Sequence, residues 1–165
     1  MGKVPLVNQR SWAAELLHAF MLGALVSGLW YFGDFSSFND VLFLAFIIII
    51  LHIMIGRRMI PLWHRRGIRL AMAGHFPEAI SCFEKSYAFF AKYPWLDSMR
   101  YGVLFSSSNM PYREMALVNI AFAYGQLGEG ARSKAYYEKA LKEFPGSVLA
   151  RTSLNMIKAF DPSDK

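Results

Sequence analysis

Two long apolar runs, a short polar break between them, and then a sustained amphipathic pattern divide the chain. Positions 13–32 carry Glu15 near their start and His18 one turn later but are otherwise apolar or small. Their 20 residues match the length a helix needs to cross about 30 Å of hydrocarbon. A second run, 41–55, is apolar apart from His52 and includes Ile47, Ile48, Ile49 and Ile50. Phe38 and the aliphatic stems of Arg57 and Arg58 extend it towards spanning length, so the second span is placed at 41–59. Residues 33–40 form a short acidic turn in which Asn39 or Asp40 is placed to cap the second helix. The pattern predicts a two-helix transmembrane hairpin preceded by residues 1–12. A cleaved signal peptide is disfavoured, because the first apolar stretch is too long and no small-x-small site precedes a polar start.

Beyond residue 60 the apolar positions recur at helical spacing in pairs of segments. Trp63, Gly67, Leu70, Gly74, Ala79 and Phe83 align with Leu117, Ala121, Tyr124, Gly128, Ser133 and Tyr137 at a constant offset of 54 residues. The second copy reads Asn119-Ile120-Ala121-Phe122-Ala123-Tyr124-Gly125-Gln126-Leu127-Gly128, then Ala135-Tyr136-Tyr137-Glu138-Lys139-Ala140-Leu141, closed by Pro145. The first keeps Trp63, Gly67, Gly74 and Phe76-Pro77-Glu78-Ala79-Ile80, has Ser86 where the second has Ala140, and closes late at Pro94. In these residues 60–147 resemble the tetratricopeptide repeat family, whose repeat is about 34 residues long. The resemblance implies two repeats, 60–93 and 114–147, separated by an insertion at 94–113.

Stacked repeats bury their apolar faces only against neighbours, so two copies need a cover. Residues 148–160 supply one as a terminal helix: Leu149, Leu154, Ile157 and Phe160 fall near one face, with Arg151, Asn155 and Lys158 off it. Asp161, Pro162, Ser163, Asp164 and Lys165 read as a polar tail. The expected fold class is therefore all-α, a transmembrane hairpin followed by a short repeat domain with a C-terminal capping helix.

Composition sharpens this division. The chain is 55% hydrophobic and only 18% charged, and the excess apolar content falls in the first 63 positions. One cysteine, Cys82, excludes an intramolecular disulfide and reads as buried filler. The formal charge of +6 is concentrated beside the second apolar run, in Arg57, Arg58, Arg65, Arg66 and Arg69, which favours anionic lipid over nucleic acid. With Lys3 and Arg10 before the first run and no cation in the loop, both termini and the repeats are expected in the cytoplasm, in a bacterial inner membrane. Pro61 is expected to kink or restart the helix between the two parts.

Candidate binding surfaces follow. Gly23 with Ser27, and Ala24 with Gly28, form a small-residue face that either packs within the hairpin or receives a partner's helix. The family resemblance places His64, Ile68, Met72, Met115, Val118, Phe122 and Gln126 in the partner groove, a mostly apolar set suited to an amphipathic helix. The insertion is too apolar to be left in water, with Trp95, Leu96, Tyr101, Val103, Leu104 and Phe105, and folding back into that groove is the alternative. His18 and His52 lie at matched depth, six residues from opposite helix ends. They either ligate a b-type haem or contact a quinone, or else form an interhelical hydrogen bond or snorkel to the interface.

No phosphate-binding glycine loop, HExxH motif, nucleophile elbow or carboxylate cluster is present, and Ser106-Ser107-Ser108 reads as a turn. The expected function is that of a non-enzymatic, membrane-anchored adaptor or assembly factor without a cofactor, contacting a protein partner and anionic lipid. The second reading is a small accessory subunit of a redox or transport complex.

Overall fold

The computed structural model describes residues 11–160. Lys3, Arg10 and the tail 161–165 lie outside the described residues, as does most of the 1–12 segment. The described residues are all-helical and divide into two compact units. One, the apolar unit, takes in residues up to Pro61 together with Ser98–Asn109; the other, the helical array, takes in Leu62–Asp97 and the chain from Met110 onward.

In the apolar unit α1 spans Trp12–Phe32, and it is the one helix among the described residues long and apolar enough to cross a membrane. Ser11 caps it, its hydroxyl accepting from the Ala14 amide at 3.4 Å. Helix α2, Phe38–Met54, starts three positions earlier than the apolar run suggested, because Phe38 packs edge-on against Trp30 of α1. Its cap is Ser37 and not Asn39 or Asp40: Ser37 has extended backbone and its hydroxyl accepts from the Asn39 amide at 3.2 Å. The helix runs on through a π-helical segment, Ile55–Met59, which stops at Pro61. Buried or half-buried positions recur every three or four residues along one stripe of α1 (Ala14, His18, Met21 and Leu25) and of α2 and its extension (Val41, Ala45, Ile49, His52 and Gly56), with Val26, Leu29, Leu44 and Ile53 among those half-buried beside them. Each helix thus has one inward stripe, and α1 and α2 pack on each other.

Insertion residues Ser98–Asn109 complete this unit. They include the short helix α6, Arg100–Val103, which packs on α1. The alternative in which the insertion folds back into the repeat groove does not describe these residues, which belong to the apolar unit. Gly56 explains how the segment approaches so closely: a Cβ there would lie 2.5 Å from the Val103 carbonyl oxygen and 3.1 Å from the Leu104 Cα.

The helical array is a chain of pairwise packings: α3 (Leu62–Met72) on α4 (Phe76–Lys92), α4 on α7 (Tyr112–Gln126), α7 on α8 (Gly130–Glu143), and α8 on α9 (Val148–Phe160). The pairs α3/α4 and α7/α8 turn identically. Gly74 has φ +83° and Gly128 φ +77°, and the amide that follows each donates back to the preceding helix, His75 to Leu70 and Glu129 to Tyr124, both at 2.9 Å. This is a left-handed helix stop of the kind glycine permits without strain. The packing repeats as well. A Cβ on Gly67 would sit 2.7 Å from the Phe83 ring, and at the same register Ala121 and Tyr137 are both buried. Ala71, Ala79, Ile80, Phe83, Ala116, Ile120 and Ala123 form the shared core.

Helix α9 is capped by Ser147, whose hydroxyl accepts from the Ala150 amide at 3.3 Å, and it buries Ala150 and Leu154 with Leu149 and Ile157 beside them. At the other end of the insertion α5, Pro94–Ser98, presents Asp97 to the start of α7. Pro111 precedes that helix and has no amide or side-chain acceptor to offer. Asp97, buried, takes the capping role instead, accepting from the Tyr112 amide at 2.6 Å, the Arg113 amide at 3.2 Å and Arg113 Nε at 3.4 Å.

Two substitutions test these packings by thermal unfolding in detergent. Gly67→Val forces apart α3 and α4 at the Phe83 ring and is expected to cost about 2 kcal/mol. Asp97→Ala removes the acceptor of the Tyr112 and Arg113 amides at the start of α7 and is expected to cost about 2 kcal/mol, with Asp97→Asn recovering part of it.

Candidate functional site

The least ordinary arrangement of side chains lies in the apolar unit, where His18 of α1 and His52 of α2 converge on the insertion segment. His18 Nε2 donates to the Tyr101 carbonyl at 2.6 Å and His52 Nε2 to the Gly102 carbonyl at 2.9 Å. These are consecutive carbonyls of α6, with too little helix beyond them for a full set of i+4 partners. A carbonyl accepts only, so each ring carries its hydrogen on Nε2 and leaves Nδ1 as the bare nitrogen when neutral. Phe105 touches both rings: it stacks on His18 with centroids 3.9 Å apart at 11° and meets His52 edge-on at 5.3 Å.

Phe105 has φ +49° and is the one non-glycine residue with positive φ among the described residues. For a bulky side chain this left-handed conformation costs about 1–2 kcal/mol and persists only where the surroundings over-determine it. Those surroundings are the two imidazoles and a net of loop bonds. Arg100 Nε donates to the Ser108 carbonyl at 3.1 Å and its terminal nitrogen to the Asn109 carbonyl at 2.9 Å. The Ser106 amide returns to the Arg100 carbonyl at 3.0 Å, and the Ser11 amide donates to the Ser107 carbonyl at 2.7 Å.

Both Nε2 atoms donate to backbone carbonyls and Phe105 lies against both rings. The hydrogen bond each histidine makes is therefore to the insertion and not to the other helix, which corrects the interhelical alternative. Neither partner could be found by spacing, because Tyr101 and Gly102 are reached 83 and 50 residues away in sequence. The available signal was the run Tyr101-Gly102-Val103-Leu104-Phe105, too apolar to be a solvated loop.

Other candidates scatter more widely. On α1, Gly23, Ala24 and Ser27 are exposed, and a Cβ on Gly23 or Gly28 would meet nothing within 4 Å. The small-residue face therefore does not pack within the helix pair. The groove set follows the 54-residue offset in its burial: His64 and Val118 are buried, Ile68 and Phe122 half-buried, Met72 and Gln126 exposed. His64 and Val118 are thus buried and not presented as groove lining, His64 beneath the rings of Phe83 and Tyr112. Phe122 is covered edge-on by Phe76, Met115 is half-buried, and Met72, 61% exposed, remains fully presented. Arg58, Arg65, Arg66 and Arg69 are exposed, and Arg57 lies in the π-helical segment.

His64 is a buried histidine of the array. Its Nδ1 is 3.4 Å from the Ser86 hydroxyl, Phe83 and Tyr112 pack edge-on against the ring, and Nε2 has no hydrogen-bond partner. Burial lowers its pKa from 6.5 to about 4. Among the described residues no group of three or more histidine, cysteine or acidic side chains is placed to hold a metal ion.

No family model matches the chain, and no curated protein or solved structure matches it either.

The depressed His64 pKa has a definite pH consequence. The unfolded chain takes up this proton near pH 6.5 and the folded one only near pH 4, so the folded state is penalised progressively as pH falls through that window. Between pH 7.5 and 4.5 the wild type is expected to lose roughly 2 kcal/mol more stability than His64→Leu. Unfolding midpoints of the two proteins across that range measure the difference, and parallel curves would refute it.

Proposed function

We propose that this chain is a membrane-anchored protein-interaction module: α1 and α2 with its π-helical extension span the bilayer, and the array is a pair of tetratricopeptide-like units that engages a partner. The observation that carries the anchor is outward apolar surface. Trp12, Leu16, Phe20, Trp30, Tyr31 and Phe32 of α1, and Phe43, Phe46, Leu51 and Met54 of α2, are all exposed, a continuous cost in water and none in acyl chains. Trp12 and the Trp30-Tyr31 pair stand about 27 Å apart along α1, the separation of two interfacial aromatic belts. The Arg-rich stretch from Arg57 to Arg69 supports a cytoplasmic array beside anionic lipid in an inner membrane.

Support for the repeat reading is the duplicated helix–turn–helix geometry at Gly74 and Gly128 and the equivalent small-large pairs Gly67/Phe83 and Ala121/Tyr137. The surface left for a partner is the open end of the α3 and α7 faces, at Met72 and Gln126, which suits a short amphipathic helix better than an acidic terminus. A second reading is favoured by one specific feature, the open small-residue face at Gly23 and Ser27. On that reading the chain is an accessory subunit of a membrane complex, docked helix to helix in the bilayer.

Capture from membranes in mild detergent separates the two, with tagged full-length chain run beside Met72→Asp and Gly23→Leu, both at positions where folding is not expected to suffer. Loss of a stoichiometric partner with Met72→Asp alone identifies the array as the docking surface. Loss with Gly23→Leu alone transfers the contact to the membrane, and a partner retained by both variants refutes both surfaces.

A further inference from the structure

We propose that the insertion is a re-entrant segment: the stretch around Tyr101–Phe105 lies at hydrocarbon depth, and His18 and His52 are there to satisfy its backbone. This rests on the reading that α1 spans the membrane and adds to it a third element inside the bilayer.

Depth is set by what the segment touches. Ser107 meets Ser11 at the start of α1, Tyr101 meets His18, and a Cβ on Gly102 would lie 4.0 Å from the Sδ of Met21. Met21 is nine residues along α1 from Trp12, which puts the tip about 13 Å inside the aromatic boundary. A boundary drawn instead at the tip would leave Trp12, Leu16 and Phe20, 77%, 72% and 73% exposed, in water together with Ile55 and Met59. It would also leave too few residues of α1 to cross the hydrocarbon.

Polarity along the segment follows depth. Tyr101-Gly102-Val103-Leu104-Phe105 is apolar, with Gly102 deepest at Met21 and Val103 and Leu104 at the level of Gly56, and Ser106-Ser107-Ser108 is polar towards the level of Ser11. The Arg100 guanidinium turns towards that same end, bonded to the Ser108 and Asn109 carbonyls. Non-helical backbone survives at membrane depth only where protein groups satisfy it. Here the Val103 and Leu104 amides return to Met99 and Arg100, and the Tyr101 and Gly102 carbonyls receive the histidine N–H groups. Two intramembrane histidines at one depth thereby acquire a positioning role that needs no cofactor.

The test is nitroxide depth measurement on full-length protein in vesicles of phosphatidylcholine and phosphatidylglycerol, with Cys82→Ala and one cysteine placed at position 46, 103 or 109. Labels at Phe46 and Val103 should both collide with oxygen in preference to a water-soluble nickel chelate, their ratio exceeding that at Asn109 several-fold. If Phe46 favours oxygen while Val103 matches Asn109, the re-entrant segment is refuted and the spanning reading stands. If Phe46 itself favours nickel, the spanning reading fails first. The histidine role is read by hydrogen exchange at residues 99–106 in unlabelled protein. His18→Leu with His52→Leu should lose protection there, and glutamine at both positions, which keeps a side-chain N–H, should restore it; protection unchanged in the leucine variant would overturn that role.

Discussion

A backbone carbonyl or amide removed from water must find a partner inside the protein, and residues 97–109 are organised around that requirement. Asp97 supplies acceptors for the first amides of α7, which Pro111 cannot cap. Arg100 closes the segment on itself through the Ser108 and Asn109 carbonyls. His18 and His52 donate to the two carbonyls that α6 is too short to satisfy. With these bonds made, Phe105 can be held in a left-handed conformation that would otherwise relax, and its ring joins α1 to α2 through the imidazoles. Each unit thus receives one end of the same insertion by a different chemistry: a carboxylate at helix amides in one, imidazoles at helix carbonyls in the other.

The array solves a different problem, burying amphipathic helices with few neighbours. Its two helix pairs use one design twice. A glycine in the left-handed region ends the first helix of each; Gly67 receives the Phe83 ring, and at the same register of the second pair Ala121 and Tyr137 are buried. Further polar ties between α4 and α8 sit outside the apolar core. Tyr87 donates to Glu143 at 2.6 Å with Lys139 over its ring, and the desolvated phenol beside that carboxylate is pushed up to about 12. Tyr136 donates to Glu84 at 3.3 Å and stacks on Tyr124, so the same pair of helices is tied a second time. Such bonds tie together two helices that each pack on α7.

Much of the secondary structure was legible because its signals are local. The 54-residue offset located both turning glycines and both helix pairs, and the apolar run at 13–32 located α1 to within one residue. The beginning of α2 was misplaced because Phe38 is drawn into the helix by Trp30, a tertiary contact, and Ser37 then caps it. The groove set was legible as a face but not as a surface. Helical period puts His64, Ile68 and Met72 on one stripe, yet only packing decided that His64 is buried and Met72 is not. The insertion was recognisable as too apolar for water, and its destination was not.

The sequence by itself determined that this chain is helical, where its helices turn, and which stretch is long and apolar enough to span a membrane. These follow from period, glycine placement and length, which act over one or a few turns. Only the tertiary structure decided that His18 and His52 serve carbonyls of the insertion and not each other, that Gly23, Ala24 and Ser27 are exposed, and that Asp97 caps α7. Each depends on which distant backbone group lacks a partner, and that is set by the packing of the folded chain.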